Sequence, residues 1–298
     1  MDHRTYLKSL GTAEKDALTR RADAPGFLHL AMHGGLILFL GGLIALRVPF
    51  WWALMLPQGI LLAFLFTLQH EATHKTPFAS DRLNEWVGQI TGLILVQPFL
   101  WFRYFHFAHH RWTNIPDKDP ELASAKPEGW PAFLRHLSTV DYWSAKARVL
   151  WDNAFGPMEQ EYLPQNARER ARKEARLMLV GYALIALFTL FVSPILLSIW
   201  LIPLALGFPF LRLYLLAEHG RCPYVADMFL NTRTTFTNRV VRFLAWNMPY
   251  HIEHHAFPQV PFHRLPAFHH MIRDRLGTTS DGYAAFAREY VEGFQDQT

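Results

Sequence analysis

The sequence predicts an all-α integral membrane protein, a single unit over residues 1–298 with four transmembrane helices and a helical cytoplasmic cap. Three observations carry this expectation: long apolar stretches free of charge, positive charges gathered outside them, and histidines clustered near their ends. Half of the 298 residues are apolar (51%) and only 18% are charged, against about a quarter in soluble domains. The charge is therefore confined to part of the chain.

A crossing helix needs about 20 mostly apolar residues. Phe27–Leu46 and Val48–Gln69 contain no Asp, Glu, Lys or Arg, and predict spans over residues 27–46 and 48–69. The charge-free run Leu177–Leu211 is too long for one helix and breaks at Ser193-Pro194, which predicts a hairpin of spans over 177–193 and 195–217. Buried helices of a soluble protein are usually shorter than these. The uncharged stretch 86–102 is short, has Trp86 and Trp101 near its ends and contains Pro98. Trp favours the membrane interface, and a crossing here would put the basic segment that follows on the wrong side. The expectation is a segment dipping into or lying along the cytoplasmic surface.

Orientation follows from Lys and Arg, which are enriched in cytoplasmic loops. Twelve of the 29 fall between Arg103 and Arg176, five in the amino-terminal tail and eight after Glu218. The turns between spans carry only Arg47 on one side and nothing around Pro194. Both termini and the large middle loop are therefore expected in the cytoplasm. The net charge of +4 reflects this topology, and no nucleic-acid partner is expected. The tail before Phe27 is polar and long and the first apolar segment lacks a small-residue cleavage site, so no signal peptide is expected. The one cysteine, Cys222, reads as a structural thiol; it leaves no internal disulfide, no cysteine-held iron–sulfur cluster and no CxxC pair. Redox chemistry would draw its electrons from a separate protein.

The 16 histidines cluster. His70 and His74 form HxxxH at the end of the second span; His106, His109 and His110 form HxxHH just after the interfacial segment; His251, His254 and His255 repeat it near the carboxyl end. His219 stands at the end of the fourth span. Residues three or four apart share a helix face, so each cluster can aim its imidazoles into one space. Neutral imidazole is a good ligand for iron, zinc, copper and nickel. Nine imidazoles are too many for one metal and suit two six-coordinate ions with positions left open. Ligating histidines usually give their other ring nitrogen to a carboxylate or carbonyl, and Glu71, Glu218, Glu253, Asp117 and Asp119 are placed to accept.

The boxes also resemble those of a known family. HxxxH, HxxHH and HxxHH spaced around four spans resemble the membrane fatty acid desaturase superfamily of desaturases, acyl hydroxylases and carotenoid oxygenases. His109-His110-Arg111-Trp112-Thr113-Asn114 with Asp119-Pro120 resembles the second box, and Asn247-Met248-Pro249-Tyr250-His251-Ile252-Glu253-His254-His255 the third. Ala217-Glu218-His219 resembles the extra histidine that some members place before it. The resemblance covers roughly residues 50 to 270. It implies a non-haem di-iron centre held by histidine, with Asn247 among the residues behind the ligands. It further implies O2 as co-substrate, attack on aliphatic C–H bonds of a lipid or acyl substrate, and an external donor of the ferredoxin or cytochrome b5 type. Acyl desaturation is the first reading, and lipid or carotenoid hydroxylation or ketolation the second.

A reading of another class competes. His70-Glu71-Ala72-Thr73-His74 also satisfies HExxH, in which two histidines bind zinc and the glutamate is a general base. An intramembrane zinc metalloprotease would need a third ligand, yet no Asp or Glu occurs in the third or fourth span before Glu218, and both HxxHH clusters would go unused. Other histidines read as bland: His29 and His33 as packing, His263, His269 and His270 as solvated surface. The run Arg168–Arg176, with Glu169 and Glu174, reads as an exposed helical face entering the third span. Arg212 is the one charge inside the fourth span, two turns before His219, and such a charge usually faces the protein interior. It is expected either to bind a polar group of the substrate or to snorkel or pair.

Overall fold

The computed structural model describes residues 1–294. After α1 (His3–Ser9) and α2 (Thr12–Thr19), α3 (Asp23–Ala45) is the first helix long and apolar enough to cross a membrane. The others are α4 (Met55–Thr73), α9 (Gln165–Phe191) and α10 (Ile202–His219). Their surroundings differ. Leu38, Phe39, Leu190 and Phe191 of α3 and α9 are among the most exposed apolar side chains of the chain, a coating that water would not tolerate. α4, by contrast, is mostly buried and forms the axis of the bundle.

The ends of these helices depart from the apolar runs for local reasons. The second crossing starts at Trp51 rather than at residue 48, because Phe50, after Pro49, turns the chain in a left-handed conformation (φ 61°). It continues past Gln69 to Thr73, so His70 and Glu71 are helical. α9 starts twelve residues before Leu177, since Arg, Lys, Glu and Ala are good helix formers whether or not lipid surrounds them. Glu174 is not part of an exposed face: it is buried and accepts the backbone N–H groups of Phe99 and Leu100.

That contact explains how the stretch 86–102 is built. It is two helices, α5 (Asp81–Leu95) and α6 (Phe99–Trp112). Val96 adopts a left-handed conformation (φ 56°) and Pro98 cannot continue α5. The first N–H groups of α6 have no partner within the helix, and Glu174 satisfies two of them. α7 (Trp130–Ser138) and α8 (Val140–Phe155) lead on to α9. After α10 come α11 (Met228–Asn231), β1 (Thr234–Thr235), α12 (Arg239–Leu244), α13 (His251–Ala256), α14 (Leu265–Ile272), β2 (Thr279–Ser280) and α15 (Tyr283–Glu292). β1 and β2 pair in parallel, Thr234 with Thr279 and Thr235 with Ser280, in the one sheet among the described residues. The fold is thus all-α apart from this clip.

One core joins the bundle to the cap, with Leu62, Leu65 and Leu68 of α4 and Phe208 of α10 meeting Ile252 of α13 and Phe268 of α14. Within the bundle, α4 and α10 touch backbone to backbone. A Cβ on Gly207 would lie 2.0 Å from the carbonyl oxygen of Gly59, and one on Gly59 would lie 1.8 Å from that of Pro203. Gly207→Leu should separate the two helices, and overpacking of this kind costs about 1–3 kcal/mol or more. Thermal unfolding in detergent micelles should show a lower Tm for Gly207→Leu. Gly35→Ala, where nothing lies within 4 Å, should leave Tm unchanged.

Candidate metal centre

Four helices deliver the clustered histidines to one place. His70 is in the last turn of α4 and His74 caps it; His106, His109 and His110 fill the last two turns of α6; His219 is the last residue of α10; α13 opens on His251 and carries His254 and His255. α4, α6 and α10 all end here. A helix carboxyl end carries partial negative charge equivalent to about half an electron, so the backbone favours a cation in the space that the rings enclose.

The imidazoles divide into two groups. In the first, one ring nitrogen each from His70, His74, His106, His110 and His254 lies within 4.8 Å of the others. In the second, His109, His219 and His255 meet the same limit, and His251 joins them with its Nε2 3.1 Å from that of His219. The close edges are alike: His74 to His106 2.9 Å, His254 to His110 3.1 Å and His109 to His219 3.1 Å, all Nε2 to Nε2. An ion about 2.1 Å from each of two imidazoles holds them about 3.0 Å apart at a right angle and about 3.4 Å apart at the tetrahedral angle. The edges match the right angle. The Nε2 of His255 is buried without a hydrogen-bond partner, an orphan that a metal would satisfy. The residues present fit two metal ions.

Acids stand behind three of the rings. Asp119 accepts from Nδ1 of His109 at 2.9 Å; Glu71 lies 3.5 Å from Nδ1 of His254 and Glu218 3.4 Å from Nδ1 of His251. Thr113 meets Nδ1 of His255 at 3.1 Å. A carboxylate behind an imidazole fixes the ring and raises its basicity as a ligand. Burial pushes His106, His110, His251, His254 and His255 well below the usual imidazole range and His74 to about 3, which keeps these rings neutral and able to ligate. His109 goes the other way: burial lowers it, but Glu121 and Asp119 together outweigh burial and raise it.

Other sequence candidates lie elsewhere. Asp117 is exposed on a left-handed turn (φ 62°) and points away from the rings, so Asp119 alone of that pair reaches a histidine. Glu253 is fully buried, but it accepts from Thr234 and His269 and so ties α13 to β1 and α14. His269 is therefore a packed residue rather than solvated surface; His270 is exposed. Asn247 donates to the carbonyl of Phe262, whose N–H in turn donates to Glu71, so it stands two hydrogen bonds behind that acid and touches no histidine of the site. His33 packs as expected, accepting from Trp246 and donating to the carbonyl of Leu61, and His29 donates to that of Phe243. Glu71 is fully buried, its Oε2 accepting from Thr76 and Phe262 and its Oε1 facing Nδ1 of His254, and His70 and His74 stand among His106, His110 and His254, rings that the HExxH protease reading leaves unused. Arg212 reaches His136 of α7 (2.9 Å) instead of the rings.

Sequence spacing gave no sign of several contributors. Glu121 lies 3.7 Å from His109, and Lys126 donates to the carbonyl of His219 (2.7 Å) and to Asn114 (3.1 Å). Asn231 donates to the carbonyl of Thr113 and so braces the residue behind His255. Each lies between boxes, with nothing periodic to mark it.

Asp119→Asn should lower metal affinity about 10–100-fold, read as metal content after dialysis against a chelator, and Asp117→Asn should match the unaltered chain. The buried neutral rings also set a pH dependence for metal-free protein. Unfolding frees His74 from about 3 to its ordinary value near 6.5, so the unfolded chain takes up protons that the folded one refuses. Stability to denaturant should be full above pH 6.5 and fall as pH drops from there toward 3.

Comparison with known proteins places the chain in a family. The family description Fatty acid desaturase matches residues 47–287. An sn-1 oleoyl-lipid 12-desaturase of Anabaena variabilis is 24% identical over 76% of this chain and 56% of its own length. A sphingolipid delta(4)-desaturase of Mus musculus is 26% identical over 66% of the chain and 58% of its own. Over a shorter stretch, an sn-1 oleoyl-lipid 12-desaturase of Picosynechococcus is 31% identical, covering 34% of the chain and 30% of that protein. The chain thus spans little more than half the length of the relatives it matches most broadly. Four helices long and apolar enough to span a bilayer, a cap that packs on them and a match over most of the sequence converge: the chain belongs to the fatty acid desaturase family.

Proposed function

We propose that the protein is an O2-dependent di-iron oxidoreductase that desaturates an acyl chain. The observation that carries this is the pair of adjacent imidazole groups, five rings in one and four in the other, with acids behind them. Two irons bound there would supply the electron-transfer and O2 chemistry that breaking an aliphatic C–H bond requires. His70, His74, His106, His110 and His254 would hold one, and His109, His219, His251 and His255 the other. Imidazole suits several metals, and family membership favours iron over the rest.

The chain's own residues hold and shield this site. Asp119 and Thr113 hold the rings of His109 and His255 from behind by hydrogen bonds, and Glu71 and Glu218 lie behind those of His254 and His251. Seven of the nine rings are buried and His74 and His110 are partly so, which limits the access of bulk water to the site. In desaturation two hydrogens leave adjacent carbons, and these together with two electrons and two protons from outside reduce O2 to two waters. Hydroxylation returns one oxygen to the carbon and is the second reading. It is favoured by a Homo sapiens relative, 26% identical, named both a sphingolipid delta(4)-desaturase and a C4-monooxygenase. The electrons come from a separate carrier of the ferredoxin or cytochrome b5 type, since the one cysteine, Cys222, is buried and unpaired.

The site and both termini face the cytoplasm in this reading. The Lys and Arg distribution supports it, and so does a simple closure. His74 follows α4, His106 precedes the end of α6, and their rings are 2.9 Å apart, so the intervening segment leaves and returns on one side. Reporters fused after Gly156 and at the carboxyl end should both read cytoplasmic. Lipid profiles of an aerobic host should show a new unsaturated acyl product with the gene. It should be absent when any of the nine histidines is changed to Ala and absent without O2. An unaltered lipid profile in a host with bound iron and a competent donor would contradict the assignment.

A further inference from the structure

Arg212 and Lys146 form a second polar centre, outside the histidines, that the di-iron reading leaves unused. Arg212 sits in α10 with its guanidinium 5.3 Å above the ring of Tyr142 in α8, and Lys146, one turn further along α8, places its ammonium 5.0 Å from the same ring. Among the described residues neither cation has a carboxylate within ion-pair distance. The partner of Arg212 is Nδ1 of His136. Because guanidinium only donates, that nitrogen must accept, and the other ring nitrogen donates to the carbonyl of Arg212 at 3.3 Å. His136 is therefore neutral, in keeping with burial and the Arg212 charge pushing it to about 4. Lys146 and Tyr142 both donate to Oε1 of Gln97, an uncharged acceptor. The Nε of Arg212 is buried with no partner at all.

Two like charges beside one aromatic ring repel each other, and an aromatic face and neutral acceptors offset only part of the cost of burying them. The arrangement is what an anion completes. We infer that Arg212 and Lys146 bind the anionic head of the acyl substrate, a carboxylate or phosphate. This inference rests on the acyl-desaturase reading and names the class of substrate for it. The placement suits such a head. Burial and the Arg212 charge push Lys146 down to about 7, a cost that a bound anion would reverse. Arg212 precedes His219 by seven residues, about 10.5 Å along the helix. Gln97, the acceptor for Lys146, exchanges hydrogen bonds with Gln69, the neighbour of His70. A chain anchored here passes several methylenes before it reaches the histidines, so the C–H bonds attacked lie well away from the head.

The test measures binding rather than turnover, on the full iron-loaded chain in neutral-detergent micelles. Labelled oleate is compared with methyl oleate, and dioleoyl phosphatidate with dioleoylglycerol. The anionic member of at least one pair should bind tenfold or more tightly than its neutral partner, and the pair that discriminates identifies carboxylate or phosphate. Arg212→Met and Lys146→Met should each bring that ratio close to one with iron content unchanged, and Lys146→Arg should keep it. Equal binding within both pairs by the unaltered chain overturns the inference, as does a preference that survives in both Met variants. If the desaturase reading itself fails, product is missing while the binding ratio can still be read, so the two failures are distinct.

Discussion

Nine imidazoles in one buried space are the constraint to which the rest of the fold answers. Without a cation, nitrogens facing each other at about 3 Å must share protons in pairs, and with an odd orphan such as Nε2 of His255 they cannot all be satisfied. With cations the same spacing is a ligand set. The structure supports the second state from several directions: three helix carboxyl ends point inward, acids stand behind three rings, and burial keeps most rings neutral.

Holding that set demands rigid scaffolding from parts of the chain far apart in sequence. α4 and α10 are locked by the Gly59–Gly207 contact, which fixes His70 against His219. α6 is set by Glu174 of α9 at its start and by Asp119 at its end, so its three histidines cannot slide. α13, only six residues long, could not hold its three histidines alone. Glu253 buries itself between Thr234 and His269 to anchor it, which is why this acid faces away from the rings. The site is thus clamped at its periphery, by contacts that leave the space between the rings free.

Much of this was legible in the sequence, and what was hidden was hidden for physical reasons. Charge-free length marks a membrane helix, and spacing of three and four marks a shared face, so the four long helices and the convergence of the boxes could be read directly. Turn conformation could not. Asp117 and Asp119 stand two residues apart just after the second box, but the left-handed backbone at Asn114 and Asp117 turns one acid inward and the other out. Long side chains also defeat spacing: Arg212 shares a helix face with His219, yet its guanidinium reaches sideways to a histidine of α7. Partners such as Glu174, Glu121 and Asn231 are contributed from afar, and no local pattern distinguishes them from ordinary polar residues.

The central claim is that the nine histidines hold two irons in separate groups. Iron content per chain, measured on protein purified from iron-supplemented cells, tests it most directly. The account predicts two irons in the unaltered chain. His106→Ala, in the five-ring group, and His255→Ala, in the four-ring group, should each retain close to one. A single metal in the unaltered chain, or zinc in place of iron, would contradict it.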